Sequence, residues 1–265
     1  MQCRYKERLV YAGDMIFAVV YPTYRKGGKR RGRFKETSEV QKKLNERKAL
    51  DSLTWTIHAN FDKSSVVFSP TYADGCYPDD EVQFNRDARN YIGRVSRLYR
   101  RAGKEFKYII IRAYGEEHGR LHLHFIFSGG VSYSEIKEAW GMGRCNYKQL
   151  EFNECGVVDL SKYLFDQRHV GARRWSGSRN LIKPVEKINV HTYSKAEITE
   201  IAESGNPHKR FADNYPGYYL SEFPEIYKNP INAGYYMTFT MYKPDGKNLA
   251  HYARRERTRQ ERRRR

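Results

Sequence analysis

The sequence predicts an α+β protein in which an antiparallel β-sheet is flanked by helices. The strongest indication is a β-hairpin: the apolar segment Tyr108–Tyr114 is followed by the turn-forming sequence GEEHG and then by the alternating run LHLHFIF. A second indication is the segment Asp80–Arg101, whose apolar residues recur at helical spacing and leave an arginine-rich outer face. Strands and helices grouped around a central hairpin favour this arrangement over a doubly wound parallel sheet.

The other elements follow from local apolar patterns along the chain. Residues 1–50 contain a short strand-like run, a basic glycine-rich loop and a polar helix-prone segment. Further predicted elements are a buried strand within Ser64–Gly75, a helix from Ser132 to Trp140, a strand over Arg144–Phe152, a short amphipathic helix over Val157–Asp166 and a strand over Gly234–Tyr242. Apart from that last strand, the chain from Gln167 onward is predicted to be rich in loops and basic residues.

The positive charge of the chain is concentrated in two arms. Lys and Arg number 49 against 31 Asp and Glu, which gives a net charge of +18. The N-terminal loop Arg25–Lys35 contributes seven positive charges and no acid, and the C-terminal tail Arg254–Arg265 contributes eight arginines against two glutamates. Two basic arms indicate a polyanionic partner, most simply nucleic acid, which binds by phosphate neutralisation and counterion release. The alternative is that both arms are disordered solubilising tails.

The cysteines and apolar runs argue against several other classes of protein. The four cysteines, Cys3, Cys76, Cys145 and Cys155, form no C-x-x-C pair, so neither a zinc ribbon nor a secreted disulfide framework is indicated. The apolar run Met15–Tyr21 is too short to span a bilayer, and no small-residue cleavage site follows it. We therefore expect a soluble cytoplasmic protein without a membrane partner.

The histidine pair in LHLHFIF is the first candidate for chemistry. In a β-strand, His122 and His124 leave the same face, about 7 Å apart along the strand, while the apolar residues between them point the other way. Both imidazoles can reach one divalent ion, and the turn before them supplies Glu116 and Glu117, of which we favour Glu117 as a third ligand. Two histidines and one carboxylate leave coordination positions open, as expected of a catalytic metal site. The alternative is a solvated sheet face without metal.

A tyrosine on the short helix is the second candidate. Tyr163 lies on the stripe of Val157–Asp166 that faces away from the core, next to Lys162. A phenol near a cation or metal can attack a phosphodiester and form a phosphotyrosine ester that a DNA hydroxyl reverses. The alternative is that Tyr163 is one of the 22 tyrosines used for packing or stacking.

A basic segment around a tryptophan is the third candidate. It combines a ring suited to stacking with cations suited to phosphate contacts, a combination typical of binding to single strands or a hairpin stem: Arg173, Arg174, Trp175, Arg179 and Lys183. A structural tryptophan in a basic loop is the alternative.

These motifs together resemble one family. GRLHLHFIF is similar to the His-hydrophobe-His motif of the HUH endonucleases that initiate rolling-circle replication; VVFSPTY resembles their first motif and GVVDLSKYLFD their tyrosine helix. The resemblance extends to replication initiators of phages and bacterial mobile elements through TSEVQKKLNERKA, AWGMGRCNYKQLEF and RRWSGSRNLIKP. It covers most of the chain, with the blocks in the same order.

The resemblance implies a Mg²⁺- or Mn²⁺-dependent DNA nickase with an HUH endonuclease-like fold. Such an enzyme binds single-stranded or hairpin origin DNA, cleaves it through a tyrosine and stays linked to the 5′ phosphate while the free 3′ end primes synthesis. Carried over by position, His122 and His124 are metal ligands and Tyr163, with Lys162 beside it, is the nucleophile. Because the chain has no P-loop motif, a host helicase and polymerase in a bacterial cytoplasm are implied partners.

The tyrosine helix departs from the pattern of many relatives, which have two tyrosines four residues apart. Asp159 occupies the first tyrosine position, and Asp166 replaces the lysine after the second. Either the chain is a one-tyrosine enzyme or its helix is impaired. A transposase or relaxase of the same chemistry and a non-catalytic nucleic-acid-binding protein are the competing functions.

This interpretation divides the chain into four parts. Residues 1–50 form an N-terminal extension with the basic loop, and residues 51–190 form the nickase core. Residues 191–250 are predicted to pack on or extend that core, and residues 251–265 form a basic disordered tail.

Overall fold

A computed structural model describes residues 4–23, 39–114, 121–153, 156–166, 175–190, 193–203, 211, 213–228 and 234–244. It confirms the α+β class, with antiparallel sheets and flanking helices. The chain forms two sheets in two compact units. The central unit comprises Ala49–Glu151 and Val157–Ile182, and the terminal unit comprises Met1–Lys48, Phe152–Gly156 and Lys183–Arg265. The predicted four-part division stays a prediction, and both basic arms lie outside the described residues.

The helices and strands agree with the sequence patterns where those patterns are strong. In chain order they are β1 (Arg4–Ala12), β2 (Met15–Thr23), α1 (Glu39–Asn60), β3 (Val66–Pro70), α2 (Glu81–Arg101), β4 (Tyr108–Tyr114), β5 (Leu121–Phe127), α3 (Tyr133–Glu138), β6 (Cys145–Gln149), α4 (Val158–Asp166), β7 (Ser176–Gly177), β8 (Val185–Val190), α5 (Lys195–Glu203), β9 (Tyr219–Leu220), β10 (Glu225–Lys228) and β11 (Tyr235–Tyr242). The predicted hairpin is formed by β4 and β5, which pair antiparallel with His124 opposite Ile111.

The sheet of the central unit has the strand order β6-β3-β5-β4-β7, with every neighbouring pair antiparallel. One face of this sheet packs against α2 and α3. Helix α2 begins at Asp80, whose carboxylate accepts the backbone N–H of Gln83 at 2.7 Å, as expected of an N-cap. The apolar cluster between the helices and this face includes Phe68, Phe84, Tyr91, Val95, Leu123, Phe125, Phe127, Ile136 and Trp140. This cluster fixes β5 in the middle of the sheet and sends its alternate residues to the opposite face.

The sheet of the terminal unit has the order β10-β11-β2-β1-β8, and β9 adds to β11. The strand-like run near the N-terminus is the hairpin β1–β2, and the predicted strand at Gly234–Tyr242 is β11, which pairs with β2. Strands β8, β9 and β10 and helix α5 lie in the stretch predicted to be rich in loops, so that prediction was wrong for these segments. Among the described residues, no helix combines the length and the apolar character needed to cross a membrane.

Candidate active site on the histidine strand

Strand β5 presents His122 and His124 on the sheet face that points away from the apolar cluster. The centroids of the two imidazole rings lie 4.9 Å apart. Leu123 and Phe125, which alternate with them, are fully buried in the cluster beneath α2. The structure therefore confirms the alternation expected from the sequence, and the two imidazoles are close enough to bind one cation.

His124 is buried, with only 4% of its surface exposed. Its Nδ1 atom lies 2.8 Å from the hydroxyl oxygen of Ser69 on β3, within hydrogen-bonding distance. Its Nε2 atom is also buried and has no hydrogen-bond partner among the described residues. Because a buried polar atom without a partner costs about 1–3 kcal/mol, this nitrogen fits a ligand. The solvated-face alternative is wrong for His124.

The surroundings of His124 favour its neutral form. Burial, together with the charge that His122 carries when protonated, lowers the pKa of His124 to about 4. The imidazole is therefore neutral at physiological pH, and a neutral imidazole is the form that binds metal. A serine on Nδ1 with Nε2 left open is the pattern of a histidine ligand whose second nitrogen is held by a hydrogen bond.

Tyr163 lies beside this histidine. Its ring centroid is 6.3 Å from that of His124, and 56% of its surface is exposed. The next two residues of α4, Leu164 and Phe165, are buried and hold the helix in place. Lys162 is exposed next to it. The structure thus brings Tyr163 to the histidine face of the sheet, with its ring accessible to solvent.

His58 of α1 holds the start of the tyrosine helix and was missed by sequence reasoning. Its Nε2 atom accepts the backbone N–H of Val157 at 3.1 Å, and burial lowers the pKa of His58 to about 3. The two residues are 99 positions apart, so no local pattern could have indicated the contact. An acceptor at this point satisfies a backbone N–H that the first turn of a helix leaves unpaired.

The stability of the metal-free protein is expected to fall with decreasing pH because of His58. Its folded pKa is below the unfolded value near 6.5, so the unfolded state binds more protons between about pH 3 and 6.5, and stability is lost as the pH falls through this range. At pH 5 the loss due to this group is about 2 kcal/mol. Urea denaturation in chelator at pH 7.5 and pH 5 measures it.

The matched control is His58→Gln, which keeps an acceptor but does not titrate. The difference between the wild type and this variant isolates His58 from other histidines. An equal pH dependence of unfolding in both proteins would contradict a buried neutral imidazole at this position.

The third metal ligand stays a prediction. Glu117 lies outside the described residues, as does Glu116. Within the part of the chain that the structure describes, no group of three or more histidine, cysteine or acidic residues is close enough to hold a metal ion. The described ligand set is therefore the pair His122 and His124.

The residues predicted to bind DNA are only partly described. Trp175 is half-buried, and its indole N–H donates to the carbonyl of Ala49 at 3.4 Å, so the ring contributes to the fold. Arg179 and Lys183 are exposed. Arg173 and Arg174 lie outside the described residues.

Comparison with known proteins gives one match. Residues 67–168 match the model of the replication-associated protein ORF2 family. The matched segment begins in β3 and ends just beyond α4, so it contains His122, His124 and Tyr163. This match supports a role as a replication initiator and, with it, DNA as the partner. No curated protein and no solved structure shows significant similarity to the chain.

Proposed function

We propose that this chain is a rolling-circle replication initiator of the HUH type, which nicks and rejoins single-stranded DNA through a covalent 5′-phosphotyrosine intermediate. The observation that carries the proposal is the buried, unpartnered Nε2 of His124 beside His122 and Tyr163. These are the ligand and nucleophile types that the reaction needs, at one place on the sheet. The family match over the same residues supports the proposal.

His122 and His124 would hold a divalent cation, Mg²⁺ or Mn²⁺, with a carboxylate such as Glu117 as third ligand. When bound, the cation would supply Lewis-acid polarisation of the scissile phosphate. Ser69 keeps the ring of His124 in orientation through Nδ1. This arrangement explains why a buried imidazole leaves one nitrogen without a partner in the protein.

Tyr163 supplies the nucleophile. Its phenolic oxygen forms a bond to phosphorus while the bond from phosphorus to the 3′ oxygen breaks, and the phenolic proton is balanced by protonation of the departing 3′ hydroxyl. The reverse reaction rejoins a strand without an external energy source. Lys162, next to Tyr163, would contact the phosphate as a cation.

A pool of random single-stranded DNA tests this function without knowledge of the origin sequence. Protein, Mn²⁺ and a 40-nucleotide pool are expected to give a covalent protein–DNA adduct on a denaturing gel, and sequencing the attached strands gives the cleavage site. The competing non-catalytic DNA-binding protein would bind the pool equally in chelator and give no adduct. Recovery of adducts without a common sequence would argue against an origin-specific initiator.

Ser69→Ala tests the support of the metal ligand. Without the hydroxyl, both nitrogens of His124 lack a protein partner, and we expect Mn²⁺ to bind about 10- to 100-fold more weakly. Isothermal titration with Mn²⁺ measures the change. Ser69→Thr keeps a hydroxyl and serves as the matched control, and unchanged affinity in Ser69→Ala would remove Ser69 from the site.

A further inference from the structure

The outer face of α2 carries a stripe of exposed arginines. The helix contains six arginines and no lysine. Those that are exposed, called the arginine stripe below, are Arg86, Arg89, Arg97, Arg100 and Arg101. At about 100° per residue they fall within an arc of about 120°, and the first and fourth are about 21 Å apart along the helix axis. The sixth, Arg94, is half-buried and donates to the carbonyls of Ala139 and Trp140 at 2.6 and 3.1 Å.

The arginine stripe lies on the other side of the central sheet from the candidate active site. The buried face of α2, which includes Tyr91 and Val95, packs in one cluster with Leu123 and Phe125 of β5. The two histidines alternate with these β5 residues and point to the opposite face. The stripe is therefore a surface separate from Tyr163 and its surroundings.

The charges of the stripe are not neutralised within the protein. None of the ion pairs found between described residues includes one of the five arginines. Glu135 and Glu138 of α3 line the same shallow cleft as Arg97 and Arg101 without pairing with them. Like charges three or four residues apart on a helix destabilise it by a few tenths of a kcal/mol each, roughly as much as an opposite pair stabilises. The stripe therefore lowers helix stability, and a bound external anion would offset that.

We propose that the arginine stripe binds the phosphate backbone of duplex DNA. Guanidinium groups contact phosphates with two parallel hydrogen bonds, which explains the use of arginine alone. Single strands are bound by stacking on exposed rings as well as by cations, whereas the aromatic residues of α2, Phe84, Tyr91 and Tyr99, are all buried. A straight row of cations on a rigid helix fits the regular backbone of a duplex. Backbone contacts of this kind position a protein on DNA without reading its sequence.

The test is duplex binding by a triple variant, Arg86→Gln, Arg89→Gln and Arg97→Gln. Its affinity for a 25-base-pair duplex of arbitrary sequence is expected to fall at least about tenfold at 0.1 M salt. The slope of log K against log salt is expected to become shallower by about 3. Fluorescence anisotropy in chelator measures both, so the result does not depend on cleavage chemistry. The variant Glu135→Gln/Glu138→Gln, which removes nearby negative charge, is expected to bind the duplex more tightly than the wild type.

Two controls separate the stripe from net charge. The variant Lys48→Gln/Lys195→Gln/Lys243→Gln removes three exposed charges from the terminal unit and is expected to keep the wild-type salt slope. Replacement of the three stripe arginines by lysine is expected to retain that slope as well. Thermal unfolding confirms that each variant is folded.

Three outcomes would overturn the proposal. They are wild-type duplex affinity in the glutamine triple variant, an equal loss in the lysine control, and an equal loss for a single-stranded 25-mer. Adduct formation on the single-stranded pool is expected to be unchanged in the triple variant. Failure of the proposed cleavage chemistry would instead appear as a missing adduct in the wild type, so the two failures are distinguishable.

Discussion

Tyr163→Phe is expected to reduce formation of the covalent DNA adduct by at least about a thousandfold, because it removes the nucleophilic oxygen and nothing else. Phenylalanine keeps the ring that lies 6.3 Å from His124, and the side chain is more than half exposed, so the fold should be unaffected. DNA binding in chelator is expected to stay within about twofold of the wild type. Quantified denaturing gels and anisotropy measure the two effects separately.

Tyr147→Phe is the matched control for this experiment. Tyr147 lies on β6 of the same sheet and is 53% exposed, close to the exposure of Tyr163. Its substitution is expected to leave adduct formation unchanged. Full adduct formation by Tyr163→Phe would show that another group attacks the phosphodiester.

Loss of either histidine is expected to abolish both Mn²⁺ binding and adduct formation. A ligand present at 100 times its dissociation constant stabilises the folded state by about 2.7 kcal/mol. For a protein of this size such stabilisation raises Tm by roughly 5–10 °C. We expect this increase in the wild type and its absence in His122→Gln and in His124→Gln. Differential scanning calorimetry with Mn²⁺ or with chelator measures it.

His58→Gln is the control for the two histidine variants. It alters a buried imidazole of the same unit that belongs to α1 and contacts the backbone of Val157. Its own Tm can change, but the increase caused by Mn²⁺ is expected to persist. An undiminished increase in both His122→Gln and His124→Gln would exclude these histidines as ligands.

Local patterns predicted the frame of the site correctly. The period-two alternation of β5 placed two histidines on one face, and the apolar residues between them are buried in the core. The helical spacing in Asp80–Arg101 predicted α2 within one residue of its observed start. In both segments one face is buried against a continuous cluster, and burial of one face is what produces a regular pattern in sequence.

Contacts between distant segments could not be predicted. Ser69 is 55 residues from His124 and carries no signal of its own beyond its place at the end of a strand. The edge strand β8 has all six residues exposed, so it lacks the alternation that marks a half-buried strand. Its pairing with β1 joins segments that are nearly 180 residues apart.

The two faces of the central sheet are assigned different tasks in this account. The histidine face holds the groups proposed to cut a single strand, and the α2 side holds the arginine stripe proposed to bind the adjoining duplex. An initiator that leaves a 3′ end for synthesis works at a boundary between paired and unpaired DNA. Separate surfaces for the two forms would let variants of one leave the other intact.

Mass spectrometry of the protein–DNA adduct tests the central claim most directly. After exhaustive nuclease treatment and trypsin digestion, the peptide that contains Tyr163 is expected to carry the mass of a 5′-linked nucleotide, with fragmentation placing it on the phenolic oxygen. The modification should require Mn²⁺ and should be absent in His124→Gln. A nucleotide on any other residue, or an unmodified Tyr163 peptide from a purified adduct, would contradict the account.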